Sequence, residues 1–525
     1  MSTHAMRSWP WRWVAASLLA TTLACARQGI VLPGEGTPLP TVLPPATSTP
    51  SPQPATATPL PPSATPVPAV TATSVWTLVP PASPTFPATP TQVATTSLPI
   101  VYRVQAGDTL TTLAIRFGVT PSEIRAVEGN PPSLGLLDPG LQLVIPARLG
   151  RTTPGDGLIP DSEVVFSSSA ASFDVSAFAR EKRGYFSHAQ AENGSGSASA
   201  TLKRLALDNS VSPRLLLALL EHFGGWVTRA APSGDALEYP FGIHDASAAG
   251  FSAQLIQATN RLGIGYYGWR DASLLDLVFQ DGSSLRLAPG LNAGTVALLY
   301  YFSVDATDEA DWQGDLQAFL AMYRSFFGDP FARVDRFEPL YYPTLTQPEL
   351  QLPFFAGQRW AFTGGPHGAW ERDGARAGLD FAPPTSVSGC AMSDLWVTAA
   401  APGLVVRSEN GVVVLDLDGD GQEQTGWNLL YLHIASAGRA QQGARLEAGD
   451  YIGHASCEGG VATGTHLHFA RKFNGEWMLA DGPLPFILSG WRAQAGSLPY
   501  EGALLRGDDL AVACRCASSD TLVWR

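Results

Sequence analysis

The chain has 525 residues, enough for about three domains, and its 45% apolar and 10% aromatic content can form sizeable hydrophobic cores. Charged residues make up only 15%, below the typical value of about 25%, since none occurs from position 36 to position 100. The formal net charge is −13, and the sequence has no basic cluster. A nucleic-acid-binding protein needs a concentrated basic face, so no nucleic-acid partner is expected.

The first 25 residues have the pattern of an export signal. Arg7 and Arg12 precede an uncharged stretch over 13–24 that is too short to span a bilayer comfortably. Residues 22–25, Thr-Leu-Ala-Cys, resemble the cleavage site of bacterial lipoproteins, with Leu one position nearer the Cys than usual. The resemblance implies lipidation of Cys25 and a cell-envelope protein anchored in the membrane. The alternative is ordinary secretion, with Cys25 in the discarded peptide.

Residues 26–100 are rich in Pro, Thr, Ser and Ala, and 19 of the 43 prolines of the chain lie between Val31 and Ile100. Such a segment cannot bury enough apolar surface to offset the entropy of ordering it, and proline favours extended polyproline geometry. We therefore expect a disordered tether with a reach on the order of 200 Å when fully extended.

Residues 101–147 have the pattern of a small module with the order strand, helix, helix, strand. A turn at Gly107 and Asp108 leads to Thr109, which can cap a first helix, and Pro121 can occupy the first position of a second helix. Residues 141–145 alternate as a strand. The pattern predicts a βααβ fold.

This module resembles a LysM domain over its whole length. The resemblance implies binding of the N-acetylglucosamine units of peptidoglycan or chitin in a shallow groove between two loops. One loop would lie at about 130–137, and the other would contain Gly107, Asp108, Thr109 and Leu110. The alternative is a small packing module without affinity for sugars.

Residues 161–350 are predicted to form a mostly helical middle domain. Pro213 begins an apolar run over 214–223 that ends at two glycines, as expected for a helix. Further helices are expected over 253–261, 294–301 and 311–327.

Residues 211–226 weakly resemble the catalytic-helix region of lysozyme-like lytic transglycosylases, in which a Glu at the end of the helix is the general acid. The match places Phe223 at the position of that Glu, with Glu221 half a turn away. A general acid also needs a pocket that raises its pKa, and one helical Glu shows none. A structural carboxylate is therefore the favoured interpretation of Glu221.

Residues 351–525 hold most of the candidate chemistry, in three short motifs. A glycine-rich run containing His367 precedes Asp380, a second motif ends at His433, and Cys-Glu-Gly-Gly over 457–460 precedes His466 and His468. Strand alternation would place His466 and His468 on one face. Two imidazoles and a carboxylate are suitable ligands for a catalytic zinc ion, which usually leaves one position for water.

These motifs resemble the zinc endopeptidases of the lysostaphin and β-lytic group, which hydrolyse peptide bonds in peptidoglycan. The resemblance implies an antiparallel all-β domain that binds one zinc ion through His367, Asp380 and His468. Lysostaphin-like members place the first His four residues before the Asp, where Arg376 stands here. The β-lytic branch uses a thirteen-residue spacing, which His367 and Asp380 have.

The same resemblance implies the roles of two further histidines. His466 would accept a proton from the attacking water and pass it to the leaving amine, while His433 would stabilise charge on the tetrahedral intermediate. The expected function is an exported, LysM-targeted peptidoglycan endopeptidase. One alternative is a non-catalytic wall-binding or hydrolase-activating protein, and a second is a bifunctional enzyme whose middle domain also cleaves glycan.

An acidic run between two apolar segments resembles the first half of a calcium-binding loop, through Asp416, Asp418 and Asp420. Trp427 occupies the twelfth position, where a bidentate Glu is expected. Calcium is therefore one interpretation of the run, and a polar hairpin turn explains the residues as well.

Five cysteines become four if Cys25 is lipidated, which suits an oxidising compartment. The β-lytic resemblance implies a bridge between Cys390 and Cys457. Cys514 and Cys516 would then remain, and alternate residues of one strand are poorly placed to bridge each other, so that pairing is not expected.

Overall fold

The computed structural model describes residues 98–129, 135–192, 196–370, 372–384 and 389–525. The predicted signal, the lipidation site Cys25 and nearly all of the tether lie outside these residues, as does part of the second predicted LysM loop. Within the described ranges, none of the helices combines the length and the apolar character that a membrane crossing requires.

The LysM module has the predicted order of elements, with one difference. It contains β1 (Ile100–Arg103), α1 (Leu110–Phe117), β2 (Arg125–Ala126) and β3 (Gln142–Ile145), and β3 pairs antiparallel with both β1 and β2. Thr109 caps α1, and Gly118 ends it in the left-handed conformation. The second helix is only the 3-10 turn Pro121–Glu123, because the backbone becomes extended at Ile124 and pairs with β3.

The middle region is helical, as predicted. It contains α2 (Val175–Lys182), α3 (Ala198–Asn209), α4 (Pro213–Gly224), α5 (Asp235–Glu238), α6 (Phe251–Arg270), the hairpin β4 (Asp276–Val278) and β5 (Ser284–Arg286), α7 (Ala293–Ser303), α8 (Glu309–Phe327) and α9 (Val334–Phe337). Six consecutive residues of α4, from Leu215 to Leu220, are fully buried. A helix that is apolar on all sides lies inside a fold, and α4 is therefore the centre of this region.

Helix α6 is longer than the predicted range of 253–261, and three glycines lie in its second half. Gly265 allows α6 to approach α7 so closely that a Cβ there would lie 2.7 Å from the Cα of Ala297. Close packing against a neighbouring helix thus outweighs the low helix propensity of glycine.

The C-terminal region is built of antiparallel strands, as predicted. They are β6 (Trp360–Gly368), β7 (Arg376–Ala382), β8 (Trp396–Thr398), β9 (Gly403–Glu409), β10 (Val412–Asp416), β11 (Trp427–Leu432), β12 (Arg445–Leu446), β13 (Tyr451–His454), β14 (Leu467–Phe473), β15 (Glu476–Trp477), β16 (Ile487–Leu488), β17 (Trp491–Ala495), β18 (Gly502–Arg506), β19 (Asp509–Val512) and β20 (Leu522–Val523). In the described part of the chain, the main sheet has the order β12-β9-β10-β11-β14-β7-β6-β20, with β15 beside β14, and β16 to β19 form a second sheet.

The two faces of the main sheet enter different cores. On β14, Leu467 and Phe469 pack into a core within the C-terminal region, whereas Ala470 joins the core of the helices. Leu430 and Val414 on the neighbouring strands also join the helical core. The middle region therefore covers part of one sheet face, and alternation places His468 on that same face.

Candidate metal centre

Three strands bring His367, Asp380 and His468 together. His468 on β14 lies directly opposite Asp380 on β7, and β7 pairs with β6, which carries His367. The β6–β7 pairing changes register on both sides of His367, and such irregularities redirect side chains at the edges of sites. His466 precedes β14 and is held by a bridge to Ser456.

The donor atoms of these three residues converge. The Nε2 atom of His367 lies 3.0 Å from Nδ1 of His468 and 3.3 Å from Oδ1 of Asp380, and the last two atoms are 3.1 Å apart. All three side chains are buried. Two nitrogens and a carboxylate oxygen in such proximity match the ligand set of a catalytic zinc site.

The hydrogen bonds behind the two imidazoles show that the set fits a cation. Nδ1 of His367 lies 2.8 Å from the carbonyl oxygen of Gly365, and Nε2 of His468 lies 2.9 Å from that of Ala369. A carbonyl only accepts, so these outer nitrogens carry the hydrogens of the neutral rings. The inner nitrogens, Nε2 of His367 and Nδ1 of His468, then both face Asp380, which is the arrangement that the ligands of a metal ion require.

Glycines make room for the ligands. A Cβ on Gly364 would lie 2.5 Å from Oδ2 of Asp380, and a Cβ on Gly378 would lie 2.8 Å from Nε2 of His468 and nearer still to its Cε1. Glycine at positions 364 and 378 is therefore a steric requirement of the site.

We expect Gly378→Ala to lower zinc affinity about 10- to 100-fold, the usual effect of disturbing the support of a ligand. The new methyl group must displace His468 from the Ala369 carbonyl or from the other donors. Competition with a fluorescent chelator measures the affinity. Gly464→Ala is the control, since its Cβ would meet nothing nearer than 3.8 Å. Equal affinities in the two variants would contradict the expectation.

His433 and His466 lie beside the ligand cluster. Their ring centroids are 4.5 Å apart, and Nε2 of His466 is 3.7 Å from Oδ1 of Asp380. The Nδ1 atoms lie 3.0 Å and 2.8 Å from the carbonyl oxygens of Glu458 and Gly464, respectively. Both Nδ1 atoms are thus donors, and both Nε2 atoms are free to accept a proton.

The Cys-Glu-Gly-Gly segment positions His433. His433 adopts a left-handed backbone conformation with φ of 67°, and Ser456 donates to its carbonyl oxygen from both N and Oγ. Gly459, also left-handed, lies so close to Asn410 that a Cβ would overlap the Asn410 carbonyl oxygen. This close approach brings the Glu458 carbonyl oxygen to the His433 imidazole, which explains why a glycine follows Glu458.

Burial and neighbouring charges set the protonation of these side chains. Burial lowers the pKa of His433 to about 3, with repulsion from His466 and His468 adding to the effect. Burial also lowers the pKa of His468. For Asp380, burial opposes ionisation, but His367 and His468 outweigh it and hold the pKa well below its usual range. His433 is therefore neutral near pH 7.

Tyr500 was not anticipated from the sequence. Its ring stacks on the imidazole of His367, with the ring centroids 4.0 Å apart and the planes at 19°. Tyr500 lies in the turn between β17 and β18, and a backbone bond from its N–H to the carbonyl oxygen of Pro366 holds the turn beside β6. No motif surrounds it, so only the tertiary contact reveals it.

The cysteines form two bridges. Cys390 and Cys457 are bonded, with their Cα atoms 5.5 Å apart, as the family resemblance implied. Cys514 and Cys516 are also bonded, so the expectation against that pairing is wrong. Both residues follow the end of β19 at Val512, where the backbone bends and brings their Cα atoms within 5.1 Å.

The carboxylates of Asp416, Asp418 and Asp420 converge in the turn between β10 and β11. Asp416 is buried and accepts the backbone N–H groups of Asp418, Gly419 and Gly421. Burial and the adjacent Asp416 carboxyl raise the pKa of Asp418 to about 6. Backbone donors occupy the oxygens of Asp416, so a polar hairpin turn accounts for these residues, and we assign no calcium ion to them.

Glu221 closes the turn that follows α4. Its carboxylate accepts the backbone N–H groups of Val227 and Thr228, each at 3.0 Å, and the Thr228 hydroxyl. The carboxylate is thereby engaged within its own loop, which agrees with the structural interpretation of this residue.

The first predicted glycan loop, residues 107–110, is folded into its own module. The carboxylate of Asp108 is buried, accepts the Tyr102 hydroxyl at 2.6 Å and pairs with Arg116 at 2.8 Å. Leu110 is buried in the LysM core, and Thr109 caps α1.

The same loop faces the middle region. Arg270 of α6 donates to the carbonyl oxygen of Ala106, and a Cβ on Gly107 would lie 2.7 Å from Oη of Tyr341. Nearby, Gln105 donates to Gly290 at 2.6 Å, and Arg116 donates to Trp269 at 2.6 Å. The predicted sugar-binding loop therefore packs against protein in this structure.

Three family models match the chain. Residues 102–146 match the LysM domain, residues 157–339 match the N-terminal domain of LasA, and residues 376–479 match peptidase family M23. The LysM and zinc-endopeptidase resemblances are thereby confirmed. The middle region matches a different family from the lysozyme-like one considered from the sequence.

Among curated proteins, the chain is similar to Protease LasA of Pseudomonas aeruginosa, strains PAO1 and UCBPP-PA14. The identity is 28% over 289 residues, which cover 52% of this chain and 65% of each relative. Among solved structures, it is similar to the M23 metalloprotease pseudoalterin from the deep sea, at 22% identity over 35% of this chain and 99% of that one, with a TM-score of 0.28. The catalytic domain of lysostaphin from Staphylococcus simulans matches at 20% identity over 23% of this chain and 89% of that one, with a TM-score of 0.17.

Proposed function

We propose that this chain, which carries a LysM domain and a C-terminal domain of peptidase family M23, is an exported zinc endopeptidase of the cell wall. It would cut peptide bonds in the stems or cross-bridges of peptidoglycan. The observation that carries the proposal is the convergence of two imidazole lone pairs and a buried carboxylate beside two further histidines.

We assign zinc binding to Nε2 of His367, a carboxylate oxygen of Asp380 and Nδ1 of His468. When bound, zinc supplies a Lewis acid that acidifies water and polarises the scissile carbonyl group. The ring nitrogens bonded to Gly365 and Ala369 hold both imidazoles in the tautomer that binds a metal. Stacking of Tyr500 further restricts the ring of His367.

His466 is the proposed general base. Its Nδ1–H is bound to the Gly464 carbonyl, so Nε2 accepts a proton from water and returns it to the leaving amine. His433 is held in the same way, with its Nδ1–H bound to the Glu458 carbonyl oxygen. Its low pKa keeps Nε2 unprotonated, so Nε2 can accept a hydrogen bond from water before the reaction begins. It orients the water in that form, and it stabilises negative charge on the carbonyl oxygen only after it gains a proton.

The LysM module is proposed to hold peptidoglycan through its N-acetylglucosamine units. Ala106 and Gly107 contact the middle region in this structure. Sugar binding by this loop is therefore proposed to involve movement of the LysM module away from α6. A lipidated Cys25 would anchor the enzyme in the cell envelope, with residues 26–100 as the tether. Without lipidation, the enzyme would be secreted.

Substitution of His466 separates the enzyme from a non-catalytic wall-binding or hydrolase-activating protein. We expect the purified protein to hold about one zinc ion and to release peptides with new amino termini from purified sacculi. His466→Ala should retain zinc, because His466 is not one of the three ligands, but release should fall at least about 100-fold, as for the loss of a general base. Metal analysis and mass spectrometry of the digest provide both readouts.

One outcome would contradict the proposal, and a second would extend it to a bifunctional enzyme. If the unaltered protein holds stoichiometric zinc yet releases no more peptide than His466→Ala, the domain is a scaffold for wall binding or for activating another hydrolase. If new sugar ends appear as well as amino termini, the middle region also cleaves glycan. The engagement of Glu221 with the turn after α4 argues against this second outcome.

A further inference from the structure

An exposed guanidinium group lies near the candidate metal centre, on the side of His367. The Arg515 guanidinium carbon is 5.6 Å from the centroid of the Tyr500 ring, and that ring stacks on His367 at 4.0 Å. Through this stacked pair, the positive charge of Arg515 lies close to the proposed metal ligands.

The position of Arg515 is constrained by the backbone on both sides of it. The bridge between Cys514 and Cys516 closes a loop that contains Arg515 alone. The N–H of Cys514 donates to the carbonyl oxygen of Phe362 on β6, and the N–H of Cys516 donates to the carbonyl oxygen of Cys514. The loop is therefore attached to the strand that ends near His367.

Arg515 has no acidic partner among the described residues. Some arginines of the C-terminal region pair with carboxylates, for example Arg407 with Glu423 and Arg506 with Asp509, whereas others, such as Arg492, have no such partner in the described part of the chain. Arg515 is exposed instead, in a protein with a net charge of −13. A guanidinium group binds a carboxylate through two parallel hydrogen bonds, so this side chain is suited to a carboxylate that arrives with a substrate.

We propose that Arg515 binds a free carboxylate of the substrate on the His367 side of the metal centre, so that the enzyme prefers acidic peptide stems to amidated ones. This inference rests on the proposed function. The bridge of Cys514 and Cys516 is a positioning element, which keeps the guanidinium near Tyr500. Arg515 contributes to substrate affinity. Hydrolysis of the peptide bond depends on the zinc ligands and His466.

The test uses two substrates and the full protein with zinc. One is a cross-linked dimer of stem peptides with all carboxylates free, and the other is the same dimer with these groups converted to carboxamides. We expect KM to be about two- to fivefold lower for the free dimer, the usual strength of a solvent-exposed ion pair, with similar kcat. Arg515→Gln should remove the difference by raising KM for the free dimer alone, and Arg515→Lys should retain part of it.

Arg492→Gln is the matched control, because Arg492 is exposed on β17 and has no ion pair with any described residue. Equal KM values of the unaltered protein for the two dimers, or a preference that survives in Arg515→Gln, would overturn the inference and leave the proposed function intact. Failure of the zinc-loaded protein to cut either dimer would overturn the proposed function, and the inference with it.

The positioning role of the bridge has a test of its own. The double variant Cys514→Ser/Cys516→Ser should hold zinc normally and lose most of the preference for the free dimer. If it keeps the full preference, the bridge does not position Arg515, and that part of the inference is wrong.

Discussion

Replacement of His468 by alanine is expected to abolish both stoichiometric zinc binding and peptide-bond hydrolysis. His468 contributes Nδ1, which lies 3.0 Å and 3.1 Å from the donor atoms of His367 and Asp380. Disturbing a group that merely supports a metal ligand lowers affinity about 10- to 100-fold, so removal of a ligand should exceed this range. Metal analysis after dialysis and peptide release from sacculi measure the two effects.

His454→Ala is the matched control for this prediction. His454 lies in the same domain on β13, where its ring packs on Trp396 and its Nδ1 contacts the Leu395 carbonyl oxygen. It is not among the converging donors, so zinc content and activity should be unchanged. Circular dichroism of both variants checks the fold. Stoichiometric zinc in folded His468→Ala would contradict the assignment of the metal centre.

Arg270→Ala is expected to lower the free energy of unfolding by about 3–5 kcal/mol, the usual cost of leaving buried charge without its partner. Arg270 is 8% exposed, and its Nη2 lies 2.9 Å from both Asp161 and Glu476. Its Nη1 donates to Ala106. One side chain thus joins the LysM module, the middle region and β15 of the C-terminal region.

Denaturant unfolding measures this loss, and Arg261→Ala is the control on the same helix. Arg261 pairs with Asp305, which is 41% exposed. An exposed pair contributes at most about 1 kcal/mol, so the control should be nearly as stable as the unaltered protein. Equal losses in the two variants would show that the buried network has no special role in joining the modules.

The Arg270→Ala variant also tests sugar binding by the LysM module. Loss of the bond to Ala106 loosens the contact between α6 and the start of the predicted sugar-binding loop, so cosedimentation of Arg270→Ala with sacculi should increase. Soluble oligomers of N-acetylglucosamine should compete with this binding if it is specific. If limited proteolysis shows a released LysM module while sugar binding stays unchanged, residues 107–110 are not the sugar-binding face.

The sequence was sufficient to predict the participants of the metal centre. Zinc ligands are restricted to a few side-chain types, and the alternation of a strand places His466 and His468 on one face. The thirteen-residue spacing of His367 and Asp380 reflects a hairpin, in which pairing between β6 and β7 brings the two residues together. Strand alternation thus predicted the shared face of His466 and His468, and the family resemblance predicted the full ligand set.

Local pattern was less informative where packing outweighs propensity. The helix expected over 253–261 extends to Arg270, and Gly265 within it allows close contact with α7. Thr120 and Pro121 favoured a second LysM helix, but pairing of β2 with β3 leaves room for only one 3-10 turn. The Cys514–Cys516 bridge depends on a bend after β19 that the sequence did not reveal.

By itself, then, the sequence determined the fold class and the order of the modules, because these depend on periodicity and on short motifs, and its resemblance to a known family supplied the candidate metal ligands. Only the tertiary structure decided which ring nitrogens face the metal, that Tyr500 stacks on His367, and that Arg515 lies near them. It also decided that the predicted sugar-binding loop packs against α6. These features are contacts between residues far apart in the chain, and contacts of that kind leave no periodic signal in the sequence.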